Sequence, residues 1–287
     1  MAAAMRIVLV SDTHLTPLAP GFSANLRAVA DWAATLAPDL VVHLGDAVAH
    51  GVEEPASFEA AAEALAGATC PVRWIPGNHD IGEDRVTAAA GGEPPVSAYA
   101  LAAWRAVFGQ DYWSVETSGW QLVGLNAQLF GAGDAEDRGQ WAWLETALAA
   151  SDARLGVMLH KPIFRDAPDE TTQHRRYVAA SARAQLWRAL RTRDLRFIAS
   201  GHTHQLRQAQ VDGTELVWAP SAAYRIPDDL QEPVGVKVVG AMTLELAPHG
   251  HRFAFVQPPG VVEHDLGDHL DVYPELKAMA AGRPHRP

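Results

Sequence analysis

The chain has 287 residues, 48% of them hydrophobic, and a formal net charge of -11. That length supports a large core in one or two domains, while the acidic balance excludes a broad basic face for extended nucleic acid, since phosphate neutralisation needs clustered Lys and Arg. The single cysteine, Cys70, excludes an intrachain disulfide and a thiolate zinc cluster and fits a reducing compartment.

The N-terminal stretch MAAAMRIVLVSDTH turns polar after too few apolar residues for a secretory core region, and no run of about 18 apolar residues is uninterrupted by charge. A soluble, cytoplasmic protein without a membrane span is expected. RIVLVSD at 6–12 is then the first of several short runs rich in Val, Ile and Leu that end in polar or glycine-containing turns. The others are LVVHLGD at 40–46, VRWIPGN at 72–78, LGVMLHK at 155–161 and LRFIASGH at 195–202. Continuous apolar runs of this length read as buried strands.

Helical patterns lie between them. Ser23 to Leu36 places Leu26, Val29, Ala30, Ala33 and Leu36 on one face, with Ser23 as a cap. Further helices are expected over 57–66, 98–108, 139–149 and 181–191, the last opened by Ser181. The stretches 112–116, 121–125, 207–211, 215–219, 236–246 and 252–256 read as strands without intervening helices, which predicts a second sheet packed on the first. One domain over 1–257 and a lightly structured C-terminal extension over 258–287 are expected, the latter from its prolines, glycines and charges.

The five strand-like runs share a feature that packing does not predict. Each stops at groups suited to a divalent cation: Asp12 and His14, Asp46, Asn78 and His79, His160, and His202 and His204. In an open α/β sheet, ligands collect beyond the carboxyl ends of the strands, so these groups can converge. Singly, each has an ordinary explanation: Asp12 as a cap, Asp46 in a Gly-Asp turn, IPGNHD as a turn, His160 as a core histidine. Five independent turns choosing such residues in this order do not. Two divalent ions about 3.5 to 4 Å apart need a bridging carboxylate, for which Asp46 is the candidate, together with nitrogen ligands and open positions. Such a pair deprotonates a shared water near neutral pH, and the bridging hydroxide attacks phosphorus in line.

Asp12-x-His14, Gly45-Asp46, Gly77-Asn78-His79-Asp80, His160 and Gly201-His202-x-His204 resemble the full motif series of the calcineurin-like metallophosphoesterases, over about residues 6 to 205. The resemblance implies an α/β fold, a four-layer αββα sandwich of two mixed β-sheets flanked by helices. It also implies one metal held by Asp12, His14, Asp46 and His204, and a second held by Asp46, Asn78, His160 and His202. His79 would be a catalytic side chain that protonates or stabilises the departing oxygen, with Asp80 orienting it. Asn78, His79 and His204 would face substrate. Mixed oxygen and imidazole ligands suit Mn, Fe or Zn.

GDAVAHG has Ala49 and His50 where protein Ser/Thr phosphatases of this type carry an Asp-Arg pair, and Asp80 stands where their motif ends in Glu. SDTHL, GNHD and GLNAQLFGAGDAEDRGQWAWLETAL look more like class III cyclic nucleotide phosphodiesterases and glycerophosphodiesterases, with Asn126 as a departure where an acidic residue is expected. Lys161, Arg165, His174, Arg175 and Arg176 are candidates for phosphate contact. Trp141 and Trp143 read as helix packing and His50 as an exposed loop residue. The expected activity is hydrolysis of small organic phosphodiesters. A phosphomonoesterase with the same site is the alternative, and a scaffold without turnover the third reading. The partner is a small phosphoester, and self-association is left open.

Overall fold

The computed structural model describes residues 4–90, 94–274 and 276–277. β1 (Met5–Val10) is buried on both faces: Ile7 and Leu9 point one way, Val8 and Val10 the other, each at most 1% exposed. Burying such side chains contributes roughly 1.5–3 kcal/mol each, so this strand anchors two layers at once. α1 (Pro20–Leu36) starts earlier than Ser23 because Pro20 occupies its first turn, where the missing N–H costs nothing. Phe22, Leu26, Val29 and Ala33 form its buried stripe.

β2 (Leu40–His43), α2 (Ser57–Ala64) and β3 (Val72–Trp74) follow, and then two short helices absent from the expected elements, α3 (Asn78–Ile81) and α4 (Arg85–Ala89). α5 (Ala98–Phe108), β4 (Trp113–Thr117) and β5 (Trp120–Leu125) lead into α6 (Ala135–Ala149). α6 begins at Ala135 rather than 139, because Asp134 caps it by accepting from the Asp137 N–H at 3.0 Å. β6 (Arg154–Leu159) precedes α7 (Ala180–Leu190), in which Ser181 lies inside the first turn and is not the cap. β7 (Leu195–Ser200), β8 (Arg207–Val211), β9 (Thr214–Trp218), β10 (Tyr224–Arg225), β11 (Ala241–Ala247), β12 (Gly250–Val256) and β13 (His264–Asp265) complete the order. The strand expected over 236–246 starts at Ala241, since Val236 and Val239 make isolated bridges to Leu206 and Ser221 instead.

The two mixed sheets are those expected. One has the order β12-β11-β1-β2-β3, the other β4-β5-β6-β7-β9-β8. β1, β2 and β3 run parallel, as do β5, β6, β7 and β9, with antiparallel strands at the margins. Ile7, Leu9, Leu40 and Val42 meet Trp120, Met158, Phe197 and Val217 between the sheets. On the outer face of the first sheet, Val8, Val10 and Val41 pack on Leu26, Phe58 and Trp104 from α1, α2 and α5. On the outer face of the second, Val123, Val157 and Ile198 pack on Leu144 and Leu186 from α6 and α7. This is the αββα sandwich, and it brings the carboxyl ends of β1, β2, β3, β6 and β7 to one edge.

Residues after 258 were expected to be lightly structured. The described part is packed: Val261, Leu266, Val272 and Tyr273 are buried, and β13 pairs in parallel with β10. Residues 275 and 278–287 of the expected extension lie outside the described residues.

Candidate metal centre

Three of the five strand ends, those of β1, β2 and β7, deliver their groups through a sharp backbone turn. Asp12, His14, Asp46, His202 and His204 all have left-handed φ, between 43° and 65°, a conformation that L residues avoid and that costs of order 1–3 kcal/mol where it occurs at functional sites. The turns are fixed from outside: Asp12 and His14 donate their N–H to Gly45 O and Asp46 O at 2.9 and 3.0 Å. Two glycines permit close approach. A Cβ on Gly77 would overlap Asp46 Oδ1, and one on Gly201 would overlap Ser11 Oγ and lie 2.6 Å from Asp12 Oδ2.

Three clusters of donor atoms result, each with its ligand atoms within 4.8 Å of one another: Asp12, His14 and His204; Asp46, His160 and His202; and His14, Asp46 and His79. The first two clusters each combine residues from both sheets. Asp46 Oδ2 lies 3.8 Å from His14 Nε2 and 3.1 Å from His160 Nε2, so one carboxylate reaches both. His204 Nε2 is 3.3 Å from Asp12 Oδ1 and 3.1 Å from His14 Nε2, and Asn78 Oδ1 is 3.3 Å from His160 Nε2. All seven expected ligands therefore meet at one edge.

The imidazoles are oriented from behind. His160 Nδ1, His204 Nδ1 and His202 Nε2 face the carbonyls of Leu44, Tyr224 and Arg175 at 2.9, 3.1 and 3.2 Å. A carbonyl only accepts, so each outer nitrogen carries the proton and each inner nitrogen is turned to the cluster. Burial pushes His14 and His202 well below the usual histidine range, which favours the neutral form that a metal needs. Burial opposes protonation of His160 too, but the Asp46 carboxylate outweighs it and raises that group to about 9. Metal uptake at such a site displaces a proton. This donor chemistry fits divalent cations.

His79 is half-buried; its Nδ1 is 3.2 Å from Ala49 O, and its backbone N–H donates to Asp46 Oδ1 at 2.9 Å. The Asp80 carboxylate accepts from the N–H of Val48 at 3.1 Å and of Gly77 at 2.9 Å, because it sits in the first turn of α3 and reaches back to the cap. Asp80 thus holds the two loops that carry Asp46 and Asn78 together. Burial and the nearby Asp46 raise its carboxyl to about 7.

Residues 5–206 match the model of the family described as calcineurin-like phosphoesterase. The chain belongs to that family. It is a phosphoesterase of this family, whose members use a dinuclear metal site. It is 26% identical over 272 residues, 88% of this chain and 91% of that protein, to the 3',5'-cyclic adenosine monophosphate phosphodiesterase CpdA of Escherichia coli strain K12. A dimetal phosphatase from Danio rerio shares the fold at 14% identity and a TM-score of 0.60, covering 90% of this chain and 97% of that one. GAP50, the anchor in the inner membrane complex of Plasmodium, shares it at 14% identity and a TM-score of 0.62, covering 90% and 86%. No helix among the described residues of this phosphoesterase is long and apolar enough to cross a membrane.

Other expected residues sit differently. Lys161 is fully buried and paired with Glu83 and, at 2.8 Å, with Asp84. It is a structural cation, and a lysine just past the end of a strand offers no sign of that. Arg165 and Arg176 pair with Glu232 at 3.4 and 3.8 Å, and the backbone of Arg175 serves His202. Trp141 and Trp143 pack against Phe130 and Tyr112, as expected of helix packing. Asn126 donates to Asp111 Oδ2 at 2.9 Å and accepts from the N–H of Gln128, which makes it a loop anchor. His50 is half-buried, with Nε2 2.9 Å from Val272 O, and so is not an exposed loop residue. Tyr273, whose hydroxyl lies 2.6 Å from His14 Nδ1, and His43, stacked on Trp74 at 4.7 Å and 2.9 Å from Thr13 Oγ1, had no sequence signal beyond residue type.

Proposed function

We propose that this phosphoesterase hydrolyses small organic phosphodiesters, cyclic nucleotides or glycerophosphodiesters, at a two-ion centre. Asp12, His14, Asp46 and His204 hold one ion and Asp46, Asn78, His160 and His202 the other, with Mn, Fe or Zn the metals that suit this ligand set. The carrying observation is the position of Asp46, whose Oδ2 lies 3.8 Å from His14 Nε2 and 3.1 Å from His160 Nε2. The ions supply charge neutralisation at the phosphoryl oxygens and a nucleophile at neutral pH. The chain supplies position: Asp12 is fixed by the N–H of His202 at 3.0 Å, and Asp46 by that of His79 at 2.9 Å.

His79 serves as the general acid. With Nδ1 held by Ala49 O, Nε2 is the nitrogen able to pass a proton to the departing oxygen. The likeness to CpdA over 88% of this chain supports the diester preference. A cytoplasmic location belongs to the same reading.

The test is parallel hydrolysis of bis-p-nitrophenyl phosphate and p-nitrophenyl phosphate by manganese-reconstituted protein, with a chelated control. A strong, metal-dependent preference for the diester is expected. Preference for the monoester replaces this reading with the phosphomonoesterase, and silence on both points to a scaffold.

A further inference from the structure

The C-terminal segment crosses the metal centre. It is pinned at its start by Asn25, whose side chain exchanges hydrogen bonds with Val262 N and O at 2.9 and 2.8 Å, and near its end by His50, whose Nε2 lies 2.9 Å from Val272 O. Between these points Leu266 and Val272 are buried with Phe22 and Tyr224. The next residue is Tyr273, 4% exposed, with its ring centroid 5.1 Å from that of His79 and 5.6 Å from that of His50.

The Tyr273 hydroxyl is 2.6 Å from His14 Nδ1 and 3.3 Å from the Tyr224 hydroxyl. His14 thereby differs from His160, His202 and His204, whose outer nitrogens face carbonyls. A carbonyl imposes one tautomer; a hydroxyl accepts or donates. When it accepts from Nδ1–H, Nε2 keeps its lone pair toward Asp12, His204 and Asp46. When it donates to a bare Nδ1, the proton sits on Nε2 and blocks it.

We propose that Tyr273 is a positioning residue of the metal centre: its hydroxyl oxygen accepts from Nδ1–H of His14 and leaves Nε2 bare toward the donor group, so the C-terminal segment governs occupancy of the Asp12, His14 and His204 group. This rests on the two-ion reading above. Outer partners of ligating histidines typically change metal affinity by about 10–100-fold, and here that partner comes from the far end of the chain.

The experiment is calorimetric titration of the metal-stripped full-length chain with manganese, wild type against Tyr273→Phe, which keeps the ring packed on His79 and His50. Two sites are expected for the wild type. The variant is expected to weaken one of them by about 10–100-fold, to leave the other unchanged, and to keep the metal-free unfolding midpoint. Nitrogen NMR of the zinc-loaded wild type is expected to show the His14 proton on Nδ1 and zinc on Nε2. Fewer than two sites in the wild type overturns the two-ion reading itself. Two sites with unchanged affinities in the variant overturns the role of Tyr273 alone, as does equal weakening of both sites with a lowered metal-free midpoint.

Discussion

Gly77 lies so close to Asp46 that a methyl group on residue 77 would overlap Oδ1 of the carboxylate. Asp46 also accepts from the N–H of His79 at 2.9 Å, so it cannot move aside without breaking that bond. Gly77→Ala is therefore expected to displace the carboxylate that the proposed function assigns to both ions. Misplacing reacting groups by about 1 Å costs about 100-fold in rate. Metal content by atomic emission and diester hydrolysis should fall together, with the circular dichroism spectrum kept. Wild-type metal content in the variant would refute the shared role of Asp46.

Among the described residues, Lys161 is the only cation paired with the buried Glu83 and Asp84. Removing one partner of a buried pair leaves an uncompensated charge and costs about 3–5 kcal/mol. Lys161→Met is expected to lower stability by that amount in urea denaturation. A loss below about 1 kcal/mol, the level of an exposed pair, would show that the pair is solvated.

Glu83 also predicts a pH dependence. Burial, opposed by Lys161, raises its carboxyl from the ordinary 4.5 to about 7. The folded state then binds this proton more tightly than the unfolded state, so stability is greatest below the ordinary value and falls as pH rises through 7. The loss is on the order of 3 kcal/mol. Asp84, whose carboxyl burial would raise but Lys161 and Thr87 lower, contributes the opposite way: its stabilisation is present above the ordinary value and is lost in acid. Glu83→Gln should flatten the decline between about pH 5 and 7. An unchanged pH profile would assign that decline to another group.

His79 stands within reach of His14 and Asp46 yet makes its ring hydrogen bond to Ala49 O. Loss of a general acid costs about 100- to 10,000-fold. His79→Ala should show that loss in turnover with two metals still bound. A metal-depleted variant would make His79 a ligand and move the acid role elsewhere.

The convergence of the candidate donor groups was legible in the sequence because parallel strands are apolar throughout, so a carboxylate or imidazole at the end of each stands out. Asp80 was legible as a motif residue, but its bonds to the backbones of Val48 and Gly77 were not, because residue 48 lies 32 positions away. α3 and α4, with 4 and 5 residues, are too short to show a helical period. Lys161 read as a candidate for phosphate contact because nothing local announces that Glu83 and Asp84 are buried beside it. Tyr273 lies 259 positions from His14, and a pairing at that separation leaves no trace in any window of sequence.

The two donor groups that span the sandwich have a mechanical consequence. Asp12, His14 and Asp46 hang from the first sheet and His160, His202 and His204 from the second, so an ion seated in either group is a rivet through the seam between the halves. Cohesion across that seam then rises with the free metal concentration, by about 2.7 kcal/mol for one site at a hundred times its dissociation constant.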